Sequence, residues 1–279
     1  MPADCCCVRV AKVFSFSDSD VLPIRPRVRV DEPGQAPHNR CVSAPSSASH
    51  PSYRSIYRAG LLEGKVVIVT GGGSGIGRCT AHELASLGGA VALIGRTREK
   101  LDAVCAEIAQ AGGRASAHVC DIREEEAVKN AVAEVLAVHG KIDGLVNNAG
   151  GQFPAPLASI SAKGWDTVVR NNLTGGFLVS RECYTQWMVG HAAGCAIVNI
   201  IADMWMGMPG MGHSGAARAG MLNFTETAAL EWAPVRVNAV APGWIASSGM
   251  DHYGAEMRAR IRGLHQHVPL GRLGTESEV

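Results

Sequence analysis

The pattern of apolar and polar positions changes abruptly along the chain. Over the first 55 residues Pro, Ser, Arg and Asp recur without a helical or strand period, most densely between Asp31 and Pro51. Such a composition buries too little apolar surface to offset the entropy of ordering. Residues 1–55 are therefore expected to form a disordered extension, and residues 56–279 the folded domain. Arg9, Arg25, Arg27 and Arg29 allow a transit-peptide reading, which Asp4, Asp18, Asp20 and Asp31 oppose because such segments are poor in acids.

From Lys65 onward, short continuous apolar runs alternate with segments of helical period. The runs fall at residues 66–69, 90–94, 115–120, 144–146, 196–201 and 235–240. Continuous rather than alternating apolarity marks strands buried on both faces, and the intervening helices supply the crossovers that parallel strands need. The pattern predicts an α/β fold of Rossmann type: a doubly wound parallel sheet with helices on both faces. In such sheets ligands gather at the carboxyl ends of the strands, so chemistry is sought in those loops.

Composition narrows the partners. A chain of 279 residues with a formal net charge of +1 carries no broad field that would draw it to nucleic acid or an anionic membrane. No apolar run approaches the roughly 20 residues of a membrane span. A soluble, cytoplasmic protein with a small-molecule substrate is expected. Cys79, Cys105, Cys120, Cys183 and Cys195 fall inside predicted elements and read as reduced, buried thiols. Cys5, Cys6 and Cys7 lack a second ligand pair at zinc-like spacing, so no metal site is expected.

The first predicted strand runs into Thr70, Gly71, Gly72, Gly73, Ser74, Gly75, Ile76 and Gly77 before helical period begins. Placed between strand and helix, this turn reads as a dinucleotide site: Gly71 for a tight turn, Gly75 for close approach of a pyrophosphate, Gly77 for helix–strand packing. The helix amino terminus offers free N–H groups to the anion. The second strand ends in Gly95, Arg96 and Thr97, where an NAD site usually carries an acid. A guanidinium suits a 2′-phosphate, so NADP(H) is the expected cofactor, with Arg96 and Thr97 as its contacts. A solvated loop arginine is the competing reading. Asp121 and Ile122, after the third strand, are placed to flank the adenine.

These residues, with Asn147, Asn148, Ala149 and Gly150 after the fourth strand, Asn172 in the next helix, and Pro242 and Gly243 after the sixth strand, resemble the short-chain dehydrogenase/reductase family. The resemblance runs from about Tyr57 to Val279. It implies that Asn148 and Gly150 line the adenosine-ribose side, that Ile245 and Ser247 face the nicotinamide and its carboxamide or phosphates, and that Ala149, Pro242 and Gly243 also belong to the cofactor site. It implies a homo-oligomer, and also a further helix and a final strand beyond Val279, so the sheet is expected to lack that strand and the domain to be truncated.

Most members of the family carry a serine, then a tyrosine, then a lysine four residues on. Here those positions hold Ile201, Ser214 and Arg218. The peroxisomal trans-2-enoyl-CoA reductases and 2,4-dienoyl-CoA reductases are most similar, through Gly150 to Phe153, Ser161 to Trp165, Asn172 to Gly175 and the stretch HSGAARAG from His213 to Gly220. That similarity implies NADPH-dependent reduction of a double bond conjugated to a thioester, with an acyl-CoA or lipid-like substrate. Asp203 stands where the dienoyl-CoA reductases carry an active tyrosine, and Leu222 where the enoyl-CoA reductases carry another.

A serine hydroxyl is a weak acid and an arginine stays protonated, so neither is an ordinary acid–base catalyst near neutrality. Stabilising a developing enolate asks instead for hydrogen-bond donors, and Asn172, Ser214 and Arg218 offer them. Arg218 either binds the nicotinamide ribose or holds its helix against the cofactor loop. Asp203 donates a proton if its surroundings are desolvated, and is otherwise a solvated loop residue. His213 reads either as an imidazole donor or as packing. Met204, Trp205, Met206, Met208 and Met211 form an adaptable apolar wall or ordinary core. Residues 244–267, with Met250, Tyr253 and Arg258, are expected as a substrate lid. Two other readings stay open: alcohol–carbonyl interconversion, including terpenoid alcohols and 3-oxoacyl groups, and an impaired cofactor-binding protein.

Overall fold

The computed structural model describes residues 56–247, 261 and 263–279. The strands are β1 (Val66–Thr70), β2 (Ala90–Gly95), β3 (Arg114–Val119), β4 (Gly144–Asn147), β5 (Ala196–Ile200) and β6 (Arg236–Val240). They pair in parallel in the order β3-β2-β1-β4-β5-β6, the order of a doubly wound dinucleotide-binding sheet. Among the described residues β3 and β6 are its edges. The helices are α1 (Gly75–Ser86), α2 (Arg98–Gln110), α3 (Glu125–His139), α4 (Ala162–Val169), α5 (Gly175–Gln186) and α6 (Gly212–Glu231). A short parallel pair, β7 (Ile245–Ala246) with β8 (Gly274–Thr275), brings the end of the chain back to Trp244.

Every residue of β1 is buried, and its side chains divide by the period of two that a strand imposes. Ile68 joins Ala92 and Ile94 of β2 in one core with Val128 and Val132 of α3 and Val179 and Cys183 of α5. Val67 and Val69 join Val91 and Leu93 in a second core with Ala81 of α1 and Leu101 and Ile108 of α2. Both faces are thereby covered, which is why the strands read as continuous apolar runs. β3, at an edge, has only one buried residue, His118. Its weak signal explains why its observed span begins and ends one residue earlier than the apolar run suggested.

Two buried polar features tie the inner strands to the helices. Asn147 Nδ2 donates to Ser180 Oγ at 2.7 Å and Asn199 Oδ1 at 2.9 Å, and Asn199 Nδ2 donates to Thr225 Oγ1 at 2.8 Å. β4 and β5 are thus fastened to α5 and α6 beside the loops that carry the site. Between α4 and α5 the helix widens into a π turn, Arg170–Thr174, and Asn172 lies at its centre. Such turns point side chains where a regular helix would not.

Of the cysteines within the described residues, Cys120, Cys183 and Cys195 are buried, whereas Cys79 and Cys105 are half-buried; all five are free thiols. Burial pushes the Cys120 thiol up to about 11 and the Cys183 thiol well above its ordinary value. These two are poor nucleophiles at neutral pH. No described helix is long and apolar enough to cross a membrane. Residues 1–55, and most of the expected lid including Met250, Tyr253 and Arg258, lie outside the described residues.

Candidate functional site

The sheet order reverses between β1 and β4, and a cavity of about 250 Å³ opens at that point above the carboxyl ends of four strands. Each strand contributes its following loop: Gly71, Gly73 and Ser74 after β1, Arg96 and Thr97 after β2, Asp121 and Ile122 after β3, and Asn148, Ala149 and Gly150 after β4. Gly71 has φ +67° and its Cβ would lie 2.9 Å from Asn148 Nδ2, so turn and packing both require glycine. A Cβ on Gly77 would collide with Gly71 O and Asn148 Nδ2, which is the close helix–strand contact expected of that position.

The turn ends at Ser74, the N-cap of α1, whose side chain makes no capping bond, and no acid occupies the first turn. The first N–H groups of α1 therefore remain for an external anion. Two cations border the same cavity, Arg96 and Lys100. Neither forms an ion pair among the described residues. Lys100 went unread in the sequence because it sits inside the helical period of α2; only packing sets its Cβ 3.0 Å from the Cβ direction of Gly73. A diphosphate at α1 and a further phosphate at Arg96 and Lys100 fit this donor set.

Thr70 is buried and does not line the cavity. Its Oγ1 accepts from the backbone N–H of Asn148 at 3.0 Å and Ala149 at 2.9 Å, and donates to Val146 O at 3.4 Å. Asn148 Nδ2 returns a bond to Thr70 O at 3.0 Å. Thr70 thereby clips the β4 loop to the β1 turn. Thr70→Val preserves shape but leaves two N–H groups without acceptors. We expect a loss of about 2 kcal/mol in urea unfolding, with weaker nucleotide binding by fluorescence titration.

Asp121 is also engaged within the protein. Arg123 bonds both its carboxylate oxygens, and holds the carboxyl below its ordinary range. Its cavity face remains beside Ile122 and Cys120.

Around the remaining chemistry the structure separates donors that are free from donors already in use. Asn172 is buried, and its Nδ2 donates to Gly151 O at 2.7 Å and Val168 O at 3.0 Å while its Oδ1 accepts from Gly151 N at 3.1 Å. Both amide hydrogens are therefore occupied, and the expected role as an enolate donor gives way to one of positioning the loop Gly150–Gly151. Ser214 is buried in the first turn of α6 and its Oγ has no hydrogen-bond partner among the described residues.

Arg218, one turn further along α6, donates from Nη1 to Ile200 O at 2.7 Å. Its Nη2 lies 2.5 Å from where a Cβ on Gly150 would stand. No carboxylate raises its pKa; burial alone lowers it, to about 10. The guanidinium therefore keeps its charge at neutral pH and lacks a counter-ion among the described residues. Ile201 is buried and bonded through its N–H to Val240 O.

Asp203 is exposed on the loop after β5. The desolvated setting that would make it a proton donor is absent, because this loop lies outside the packed layers. Pro242, Gly243, Ile245 and Ser247 follow β6 and do not line this cavity. Phe153, Leu157, Trp205, Met206 and Trp244 are exposed apolar side chains on the loops after β4, β5 and β6. Among the described residues no group of three or more His, Cys, Asp or Glu side chains could hold a metal ion.

This arrangement is shared with known proteins. The family model described as short chain dehydrogenase matches residues 65–258. A Bacillus subtilis (strain 168) protein named probable 2,4-dienoyl-CoA reductase is 36% identical over 222 residues, covering 78% of this chain and 87% of that protein. The peroxisomal 2,4-dienoyl-CoA reductase of Danio rerio is 35% identical over 231 residues, 81% of this chain and 76% of its own. A solved structure from Pseudomonas aeruginosa PAO1, titled citronellol catabolism dehydrogenase, superposes with a TM-score of 0.71 at 61% identity, over 81% of this chain and 88% of that one. With the glycine turn, the strand order and the switch-point cavity all in place, the chain belongs to the short-chain dehydrogenase family, whose members are oxidoreductases that use a nicotinamide nucleotide.

Proposed function

We propose that this chain is an NADP(H)-dependent reductase of a carbon–carbon double bond conjugated to a carbonyl group, with an α,β-unsaturated acyl-CoA as substrate. The carrying observation is Arg218: a partly buried guanidinium without a carboxylate partner, one turn from a buried serine hydroxyl that also lacks one. Interconverting an alcohol and a ketone needs a group that moves a proton at the oxygen, and neither residue does so near neutrality. Conjugate reduction needs charge compensation where a thioester oxygen becomes an enolate oxygen, which a guanidinium without a carboxylate partner supplies. A reduced nicotinamide bound in this cleft would supply hydride to the β carbon, and a proton from water would complete the reduction at the α carbon.

The other residues support the same reading. Asn172 holds the Gly150–Gly151 loop in place, and Ser214 offers a second donor. Arg96 and Lys100 suit the extra phosphate of NADP(H). The exposed apolar side chains on the surrounding loops suit an acyl chain, and the dienoyl-CoA reductase names of the relatives agree with it.

A second reading is favoured by the 61% identity to the citronellol catabolism dehydrogenase: a terpenoid alcohol or aldehyde as substrate, with water in place of the missing tyrosine. The discriminating assay follows NADPH consumption with trans-2-hexenoyl-CoA, citronellal and acetoacetyl-CoA, alongside NADPH binding by fluorescence. Turnover of the hexenoyl thioester is expected. Turnover of citronellal or acetoacetyl-CoA alone replaces the first reading with the second, and binding without any turnover leaves a cofactor-binding protein.

A further inference from the structure

His213 is completely buried, with 0% of its surface exposed, in the first turn of α6. Its Nδ1 accepts the backbone N–H of Ser214 at 2.9 Å. A ring nitrogen that accepts carries no hydrogen, so this bond places the imidazole hydrogen on Nε2. Nε2 is buried and has no hydrogen-bond partner among the described residues. Because Nδ1 is turned to the helix backbone, Nε2, on the opposite side of the ring, is turned off the helix. The imidazole packs edge to face with Phe153, ring centroids 4.6 Å apart. Phe153 lies on the loop that Asn172 positions.

Leaving a buried N–H unpaired costs about 1–3 kcal/mol, and native proteins seldom accept that without a use. A histidine serving only as packing is held by bonds at both nitrogens or replaced by an apolar residue of similar size. Here one nitrogen is fastened and the other is kept as a donor. Phe153, packed against the imidazole, is 40% exposed and sits on irregular backbone, outside the two buried core clusters. The next residue, Ser214, and Arg218 after it offer hydrogens with no carboxylate among their partners. Three groups that donate, two of them unpaired, suit an oxygen that accepts.

We propose that His213 Nε2–H is a hydrogen-bond donor to the carbonyl oxygen of the substrate, reached when Phe153 leaves the imidazole. It is a donor of fixed tautomer, polarising the carbonyl with its hydrogen retained on Nε2. The proposal rests on the substrate having a carbonyl oxygen, which the acyl-CoA and the terpenoid aldehyde readings share.

Two substitutions divide the ring's functions. His213→Asn retains an acceptor at the Nδ1 position for Ser214 N–H and removes the distal donor. His213→Gln retains a distal N–H and weakens the contact to Ser214. The expected result is a fall in kcat of about a hundredfold for His213→Asn, with melting temperature and NADPH affinity unchanged. For His213→Gln, kcat stays within about tenfold of the parent while the melting temperature falls. Unchanged kcat in His213→Asn, or rate losses in both variants that track melting temperature, overturns the proposal.

Failure of the functional reading is told apart by a measurement that needs no turnover. In protein labelled with ¹⁵N-histidine, with His213→Asn assigning the signal, the Nε2 hydrogen is expected to move downfield when hexanoyl-CoA or citronellal is added with NADP⁺. A signal unmoved by both ligands overturns the proposal whether or not the parent protein reduces either substrate.

Discussion

Arg218→Met is expected to lower kcat by about a hundredfold, the scale lost with one preorganised donor at a developing oxyanion, while melting at the same temperature as the parent or higher. The two halves of this result have one cause. Burial disfavours the Arg218 guanidinium, and no carboxylate among the described residues offsets that penalty. A charge kept under those conditions is costly to the fold, and methionine fills similar space without it. Loss of rate with a lowered melting temperature would instead mean that Arg218 serves to hold Ile200 O and the helix in place. The pH dependence has a definite sign. With a guanidinium titrating near 10, charge compensation is complete at neutral pH and is lost as pH rises through that value. The parent's kcat should therefore decline on the alkaline side, and the decline should be absent from the residual activity of Arg218→Met.

Arg96→Asp is expected to raise the KM for NADPH relative to that for NADH by roughly a hundredfold or more. A charge-assisted hydrogen bond contributes about 1.5–3 kcal/mol, and the substitution both removes one and sets a carboxylate against the 2′-phosphate. The same carboxylate can accept from the ribose hydroxyls of NADH, so the ratio moves from both sides. Lys100 lines the same cavity, so Lys100→Ala should shift the ratio in the same direction by a smaller amount. Steady-state kinetics with both nucleotides measure this, and an unchanged ratio in Arg96→Asp removes the assignment of NADP(H).

Much of the fold was legible because its signals are local. The six apolar runs correspond to the six strands, most clearly at β1, β2 and β4, since a strand buried on both faces must be largely apolar. The glycine turn was legible because backbone conformation restricts Gly71 to glycine. That Arg96 borders the cavity was legible because it stands at a strand end, where the loops of such sheets gather. The departures at Ile201, Ser214 and Arg218 could likewise be read by counting.

What counting could not show is how each polar group is used. Asn172 looked like a free donor, and the π turn that carries it commits both of its amide hydrogens to Gly151 and Val168. Thr70 looked like part of the cofactor turn, and is directed inward to the β4 loop, 78 residues away for Asn148. Asp203 looked capable of being desolvated and is exposed. Lys100 and Asn199 carried no local signal: Lys100 reaches the cavity only through packing beside Gly73, and the partners of Asn199 come from distant segments.

The sequence by itself determined the layered α/β architecture and the glycine turn at its switch point, because burial and glycine conformation act within a few residues. Only the tertiary structure decided which donors remain available at the site. The availability of Arg218, Ser214 and His213 depends on which distant backbone and side-chain groups surround them, and no local pattern records that.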